Sequence, residues 1–477
     1  MALALILLPL AMAALAMVVT SNYWRPWLMP VTALAHTAGT VLVLIFPQWG
    51  SRTPWLVLDP VGAIILLTIT LLYLFSSFYT VGYLKFRQER PNRIFVACLL
   101  AFLGLITLVA WAHHLGLLWV AIEGTTLVTA PLIYFNHTPR SIEATWKYLL
   151  VGSVGIALAL LGTFFLAYSS LQGGMEATLG FTELLENGPG LAKPWLRAAF
   201  ILILVGYGTK MGLAPMHTWK PDAYGEASGV VGCIFAGGIT SGAFLALLRI
   251  YQIGLAAGEQ QFMAKLLVFM GLFSMAVAGI FMLSQRDFKR MLAYSSVEHM
   301  GILVLGLGIG GPALFGTLLH MINNAMTKGV LFLSAGNIHR AYASKNTDQV
   351  CGALRRLPLS GALFLAGFLA ITGSPPFAPF ISEFSILDAA FSTGRFWAGG
   401  LFLVFLFLVF IGMGITVLRV VQGRVPTDVI GSGYRDVFLT AAPVLAFMAI
   451  VLLLGLYIPE FLQSMLNNAV SFLENRG

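Results

Sequence analysis

The sequence predicts an all-α polytopic membrane protein of about fourteen transmembrane helices, arranged as two inverted five-helix repeats in which helices 7 and 12 are broken. Three observations carry this reading. Of 477 residues, 58% are hydrophobic and only 10% are charged, whereas a soluble domain carries about 25% charged residues. The apolar stretches recur in lengths near twenty residues, which suits helices rather than barrel strands of about ten. Two of them are interrupted by Gly and Pro five spans apart, at Gly-Leu-Ala-Pro 212–215 beside Lys210 and at Gly-Ser-Pro-Pro 373–376 before Glu383. Paired interruptions of this kind mark inverted repeats with a binding or ion path at the breaks.

Taken in order, the spans run roughly over 2–19, 27–46, 61–83, 93–112, 114–135, 145–170 and 197–216, then 227–254, 264–284, 293–310, 312–334, 358–384, 397–420 and 438–458. No signal-peptide cleavage pattern follows the first apolar stretch, which is expected to be a span. Asp59-Pro60 is a helix-start signal for the third. His113 and His114 fall in the loop before the fifth, and the Gly/Glu-rich segment 172–196 reads as a surface loop. The chain is expected to end soon after the fourteenth span. Four segments follow: spans 1–3 over 1–92, the first repeat over 93–256, the inverted repeat over 257–422, and the last span with its tail over 423–477.

Charge placement supports the count. Loops after odd-numbered spans hold seventeen Lys and Arg, in clusters such as Lys85, Arg87, Arg90 and Arg93 or Arg286, Lys289 and Arg290. Loops after even-numbered spans hold five: Arg52, Lys193, Arg197, Lys265 and Arg395. Under the positive-inside rule the odd loops are cytoplasmic, so both termini face outward. The net charge of +8 then reflects topology and asks for no nucleic-acid partner. Cys98, Cys233 and Cys351 lie too far apart for an iron–sulfur site, a zinc site or a disulfide framework. The eight histidines show no paired ligand spacing beside a carboxylate. No metal site and no cofactor are expected in this chain.

The functional candidates are the polar groups placed inside apolar spans. A lysine at membrane depth costs roughly 2.5–3.5 kcal/mol on insertion scales, so Lys210 beside a broken helix points to an ion path. Glu123, in LLWVAIEGTTLVTAP, reads either as the partner of Lys210 in a switchable ion pair or as a carboxylate hydrogen-bonded to Thr125 or Thr126. His320, Asn324 and Lys328 recur every four residues and share one helical stripe. That stripe suits proton transfer, or a polar seam between helices. Glu298 and His299 are expected at the mouth of the tenth span, as a surface ion pair ahead of a proton gate. His217, Lys220, Asp222 and Glu226 follow the first break, where they line an intake or cap the half-helix.

These segments also resemble a known family, the antiporter-like proton-translocating membrane subunits of respiratory complex I, of group 4 membrane-bound hydrogenases and of multi-subunit cation/proton antiporters. The resemblance covers nearly the whole chain, with its core from Trp119 to Phe384. GYGTKMGLAPMHTWKPDAYGEA looks like the family's seventh-helix signature around Lys210, and LLWVAIEGTTLVTAP places Glu123 at the fifth-helix glutamate. HMINNAMTKGVLFLSAGN matches the eleventh-helix segment with His320 and Lys328. GSPPFAPFISEFSIL matches the broken twelfth helix with Glu383. EGTTLVTAPLIYF, RSIEATWKYLL and AYSSVEHMGI are most similar to the hydrogenase-4 and formate hydrogenlyase branch, its component F type. The sequence departs from many relatives at Ser241, where they carry a lysine, and at Asn324, where they carry a second histidine.

The resemblance implies a proton path of Glu123, Lys210, His320, Lys328 and Glu383; the residues themselves add His217, Ser241, Glu298, His299 and Asn324 as candidate accessory positions. It implies a prokaryotic cytoplasmic membrane, other membrane subunits as neighbours, hydrophilic redox subunits reached through them, and protons or sodium as the transported ion. The chain itself holds no redox site. Moving one charge against 100 mV costs about 2.3 kcal/mol, and losing a buried ion-pair partner costs about 3–5 kcal/mol, so switching the Glu123–Lys210 pairing is large enough to drive a step. Two other readings stand beside this one: a non-pumping structural subunit, suggested by Ser241 and Asn324, and a cation/proton antiporter component.

Overall fold

The computed structural model describes residues 1–50, 53–424 and 432–474. Arg52 lies outside the described residues. Among the described residues the main helical rods follow one another: α1 (Ala2–Val18), α2 (Leu28–Ile45), α3 (Pro60–Lys85), α4 (Arg93–Trp111), α5 (Leu115–Ile133), α6 (Pro139–Gln172), α7 in two pieces (α7a Lys193–Met211, α7b Trp219–Glu226) and α8 (Gly229–Ala256). Then come α9 (Gln260–Met282), α10 (Phe288–Ile309), α11 (Ala313–Tyr342), α12 in two pieces (α12a Pro358–Ile371, α12b Ala378–Ser392), α13 (Phe396–Val421) and α14 (Phe438–Leu456). Among the described residues, ten helices are long and apolar enough to cross a membrane by length and composition, and α1 and α12a are shorter apolar helices. The chain is an integral, multi-pass membrane protein.

Both breaks are written in the same local chemistry. Gly212 caps α7a at φ +80°, the left-handed region that glycine enters without steric cost. The amides of Gly212 and Leu213 both reach the Gly208 carbonyl at 2.8 Å, and Pro215 follows, where a helix cannot resume. At the second break Gly373 has φ +69°, the Ser374 amide reaches back to the Leu369 carbonyl at 3.0 Å, and Pro375 and Pro376 come next. A third irregularity lies in α8, where Phe235–Ile239 forms a π-helical turn. Such turns are frequent at functional sites.

Polarity decides which rods sit inside. The windows of α8 and α10 are completely buried, and α11, which carries His320, Asn323, Asn324 and Lys328, is buried along most of its length. α1, α2, α6 and α13 present large apolar side chains outward, among them Leu3, Val31, Leu150 and Phe407. Hydrocarbon cannot satisfy polar groups, so the polar helices are wrapped by apolar ones. Neighbour relations recur five helices on. α5 packs on α4 and α6, and α6 on α7a; α10 packs on α9 and α11, and α11 on both pieces of α12.

One element goes beyond the sequence reading. Instead of a tail after the fourteenth rod, the described residues include α15 (Glu460–Glu474), an amphipathic helix that buries Leu462, Leu466, Ala469 and Leu473 against α3, α8 and α11. Gln252 Nε2 donates to the Phe472 carbonyl at 2.5 Å and fastens it to α8.

Candidate functional site

The first cluster forms where α5, α6 and α7a meet. Lys210 sits one residue before the end of α7a and is 1% exposed. Its ammonium donates to the Thr126 hydroxyl and to the Tyr148 hydroxyl at 3.2 Å, and it lies 5.0 Å from the centre of the Tyr148 ring. Thr126 Oγ1 in turn donates to Glu123 Oε2 at 3.0 Å. Glu123 and Lys210 are therefore joined through Thr126 rather than in direct contact. Tyr148 OH is held by Thr129 Oγ1 at 2.8 Å. Both sequence readings of Glu123 meet here: it is hydrogen-bonded to Thr126, and that threonine is its link to the lysine.

The second cluster crosses the first break. Lys220 is the second residue of α7b and is fully buried. It folds back over Gly212, donating to the Met211 carbonyl at 2.5 Å and to the Ser296 carbonyl of α10 at 3.4 Å. A Cβ at Gly212 would stand 2.5 Å from Lys220 Cδ, so the bare backbone makes room for this cation. Asp222 and Glu226 instead face basic residues: Asp222 pairs with Lys147 and Arg290, each at 2.8 Å, and Glu226 with Lys345 at 2.6 Å. His217 is buried, with the rings of Phe281 and Tyr294 nearby.

The third cluster lies between α10, α11 and α12b. Lys328 Nζ donates to Ser295 Oγ at 2.6 Å, one residue from the carbonyl that receives Lys220. His299 Nδ1 and His320 Nε2 are 3.0 Å apart in a hydrogen bond, and His320 Nδ1 bonds Ser382 Oγ at 3.0 Å. Asn323 Nδ2 braces the start of α12b through the Ala378 carbonyl at 2.9 Å. Glu383 is 5% exposed and lies under Gly373, where a Cβ would overlap its Oε2.

Two expectations are corrected. Glu298 and His299 are 1% and 0% exposed, not a surface pair. α10 begins at Phe288, about five residues earlier than the apolar run, so Glu298 lies about 15 Å along the helix, near its middle. The histidines also do gather beside carboxylates. His299, His320 and Glu383 each offer a ligand atom within 4.8 Å of the others, and Glu298 Oε2 stands 3.7 Å from His299 Nε2. These residues come from three separate helices, which spacing along one chain cannot reveal.

Ser241 and Asn324 are buried but turned to backbone. Ser241 Oγ donates to the Gly237 carbonyl at 2.7 Å, and Asn324 Nδ2 reaches the Ala236 carbonyl at 3.5 Å, both at the π turn of α8. Sequence reasoning missed the bridging roles of Tyr148, Lys220, Ser295 and Ser382. The Ser-Ser-Val-Glu-His run at 295–299 was the available signal, being far too polar for a lipid-facing helix.

The described residues thus hold three polar clusters in a row through an all-helical bundle, buried at their lysines and histidines and half-buried at Glu123, Asp222 and Glu226. The family described as "NADH:quinone oxidoreductase/Mrp antiporter, TM" matches residues 112–412, which span all three. The chain belongs to this family. A hydrogenase-4 component F homolog from Methylacidiphilum infernorum is 35% identical over 395 residues, 81% of each chain. A chain of respiratory complex I from Thermus thermophilus superposes with a TM-score of 0.78 at 25% identity, covering 96% of this chain and 97% of that one. A chain of the Mrp complex from Dietzia shares the fold with a TM-score of 0.86 at 20% identity, over 99% and 98% of the two chains. The protein is an antiporter-like membrane subunit, with its family match and its buried ionisable residues in the same helices.

Proposed function

We propose that this antiporter-like subunit moves protons across a prokaryotic cytoplasmic membrane within a redox-driven complex of the hydrogenase-4 or complex I type. The observation that carries the reading is the row of ionisable groups crossing both broken helices, half-buried at Glu123 and buried at Lys210, Lys220, His320, Lys328 and Glu383. Glu123 and Lys210, joined by Thr126, form the input half. Lys328, His320 and Glu383, with Glu298 and His299, form the output half. Lys220 stands between them, next to the Ser295–Lys328 contact. Such groups are rarely kept at membrane depth without use.

A redox step in hydrophilic partner subunits, reached through neighbouring membrane subunits, would shift the balance of the Glu123–Lys210 link and pass a proton onward. With the odd loops cytoplasmic, both termini face outward. The decisive experiment uses the whole complex in sealed vesicles, with proton uptake and electron transfer followed together. Lys210→Ala and Glu383→Gln are expected to lower the ratio of protons moved to electrons passed at least tenfold. An unchanged ratio in both variants rejects the proton path.

A further inference from the structure

We propose that His299, His320 and Glu383 form a binding site for a divalent first-row metal ion of the zinc class, and that the bound ion plugs the output half of the bundle. The plugging rests on the proton path proposed above; the binding does not.

The geometry suits such an ion. Two nitrogens bound at about 2.0–2.1 Å around a tetrahedral zinc lie roughly 3.3 Å apart. His299 Nδ1 and His320 Nε2 are already 3.0 Å apart, so an ion that replaces their shared proton needs only a small parting of the rings. His299, His320 and Glu383 each offer one ligand atom within 4.8 Å of the other two, and Glu383 Oε1 has no hydrogen-bond partner among the described protein atoms.

The outer nitrogens are also provided for. Zinc-bound histidines keep their second nitrogen on a carboxylate or another polar group, which fixes ring and tautomer. Here His320 Nδ1 bonds Ser382 Oγ at 3.0 Å, and His299 Nε2 faces Glu298 Oε2 at 3.7 Å, with neither of those two atoms otherwise partnered. Each ligand stands on a different helix (α10, α11 and α12b), so the set is rigidly held. Two imidazoles and one carboxylate favour zinc, cobalt or nickel over sodium, magnesium or calcium, which prefer oxygen. The second break, with Pro375 and Pro376 exposed, lies beside Glu383 through Gly373. With three protein ligands the ion keeps one position for water.

The test uses the full chain within its complex, purified without a histidine tag and titrated with Co2+, whose visible absorption reports tetrahedral nitrogen and oxygen ligation, and then with Zn2+ as competitor. The expected result is one Co2+ per chain, displaced by Zn2+, with affinity lowered at least tenfold in His320→Asn and Glu383→Gln. Glu298→Gln is expected to weaken it by 10–100-fold through the outer nitrogen of His299. Thermal melting without metal confirms that each variant folds. Glu123→Gln, far from the site, is expected to bind Co2+ as the parent does, so loss of proton movement in that variant with intact metal binding separates the two proposals. A parent that takes up no Co2+, or uptake that none of the three variants changes, overturns the site. Tight Zn2+ binding without any slowing of proton uptake overturns the plug.

Discussion

Lys210 reaches Glu123 only through Thr126. Its ammonium donates to the Thr126 hydroxyl, which donates onward to the Glu123 carboxylate at 3.0 Å. A hydroxyl is both donor and acceptor, so it transmits polarisation between the two charges while keeping them out of contact. The pairing is then adjustable by one side-chain rotation, which a direct buried ion pair is not.

That arrangement makes Thr126 as consequential as the charged residues. Thr126→Val keeps the shape and removes both hydrogen bonds. Hydrogen bonds to charged groups are worth about 1.5–3 kcal/mol, so coupled proton uptake is expected to fall by about tenfold or more, with Thr126→Ser retaining most of it. Vesicle assays on the whole complex decide this. Equal uptake in the valine and serine variants would rule the bridge out.

Lys220 makes a separate prediction about the crossing between halves. Lys220→Met fills the same space without charge, and is expected to abolish coupled proton uptake while the complex still assembles. Gly212→Ala should act on the same point by crowding. Its methyl meets the Lys220 side chain, and φ +80° costs a non-glycine residue about 1–2 kcal/mol. Its melting temperature in detergent should drop accordingly. A normal proton-to-electron ratio in Lys220→Met would leave the lysine a purely structural role.

The bundle was legible in the sequence because hydropathy and charge alternation act locally, span by span. The Gly-Pro breaks were legible for the same reason, since Gly212 and Gly373 take their backbone from their own residue type. What was not legible is tertiary. Glu298 and His299 looked peripheral because α10 extends five residues past its apolar run, through Lys289, whose ammonium is satisfied by the Gly225 carbonyl at 3.0 Å. Lys220 looked like a loop residue because nothing in its own segment says that it folds back onto the Met211 carbonyl and that α10 supplies a second acceptor at Ser296. His299, His320 and Glu383 sit 21 to 84 positions apart, and only packing unites them.

A buried ion pair away from the path offers a stability test. Arg249 and Asp59 are 2% and 4% exposed, with Arg249 Nη2 at 2.8 Å from Asp59 Oδ2. Asp59 also caps α3 through the Gly62 amide at 2.6 Å, as the Asp59-Pro60 signal leads one to expect. Removing one partner leaves a buried charge and costs about 3–5 kcal/mol. Asp59→Ala is therefore expected to melt far below the parent, and the double variant Asp59→Leu with Arg249→Met to recover much of the loss. If the double variant is no better than the single one, the Asp59 cap rather than the ion pair dominates.

His113, in the loop between α4 and α5, adds a pH dependence next to that pair. Its Nε2 bonds Thr182 Oγ1 at 3.0 Å, its ring packs on Phe181, and its Nδ1 is 3.9 Å from Asp59 Oδ2. Burial pushes its pKa down, the Arg249 charge pushes the same way, and Asp59 opposes them without prevailing. The folded protein therefore holds this histidine neutral at pH values where the unfolded chain, titrating near about 6.5, binds a proton. Above that value neither state is protonated and the group contributes nothing. As pH falls below it, the unfolded state gains protons first, and stability declines by up to about 1.4 kcal/mol per pH unit until the lowered folded value is reached. His113→Gln keeps a partner for Thr182 and removes the titration. Its melting temperature should fall less steeply between pH 7 and pH 5 than that of the parent, measured in the same detergent. Parallel melting curves across that range would show that His113 is not the group responsible.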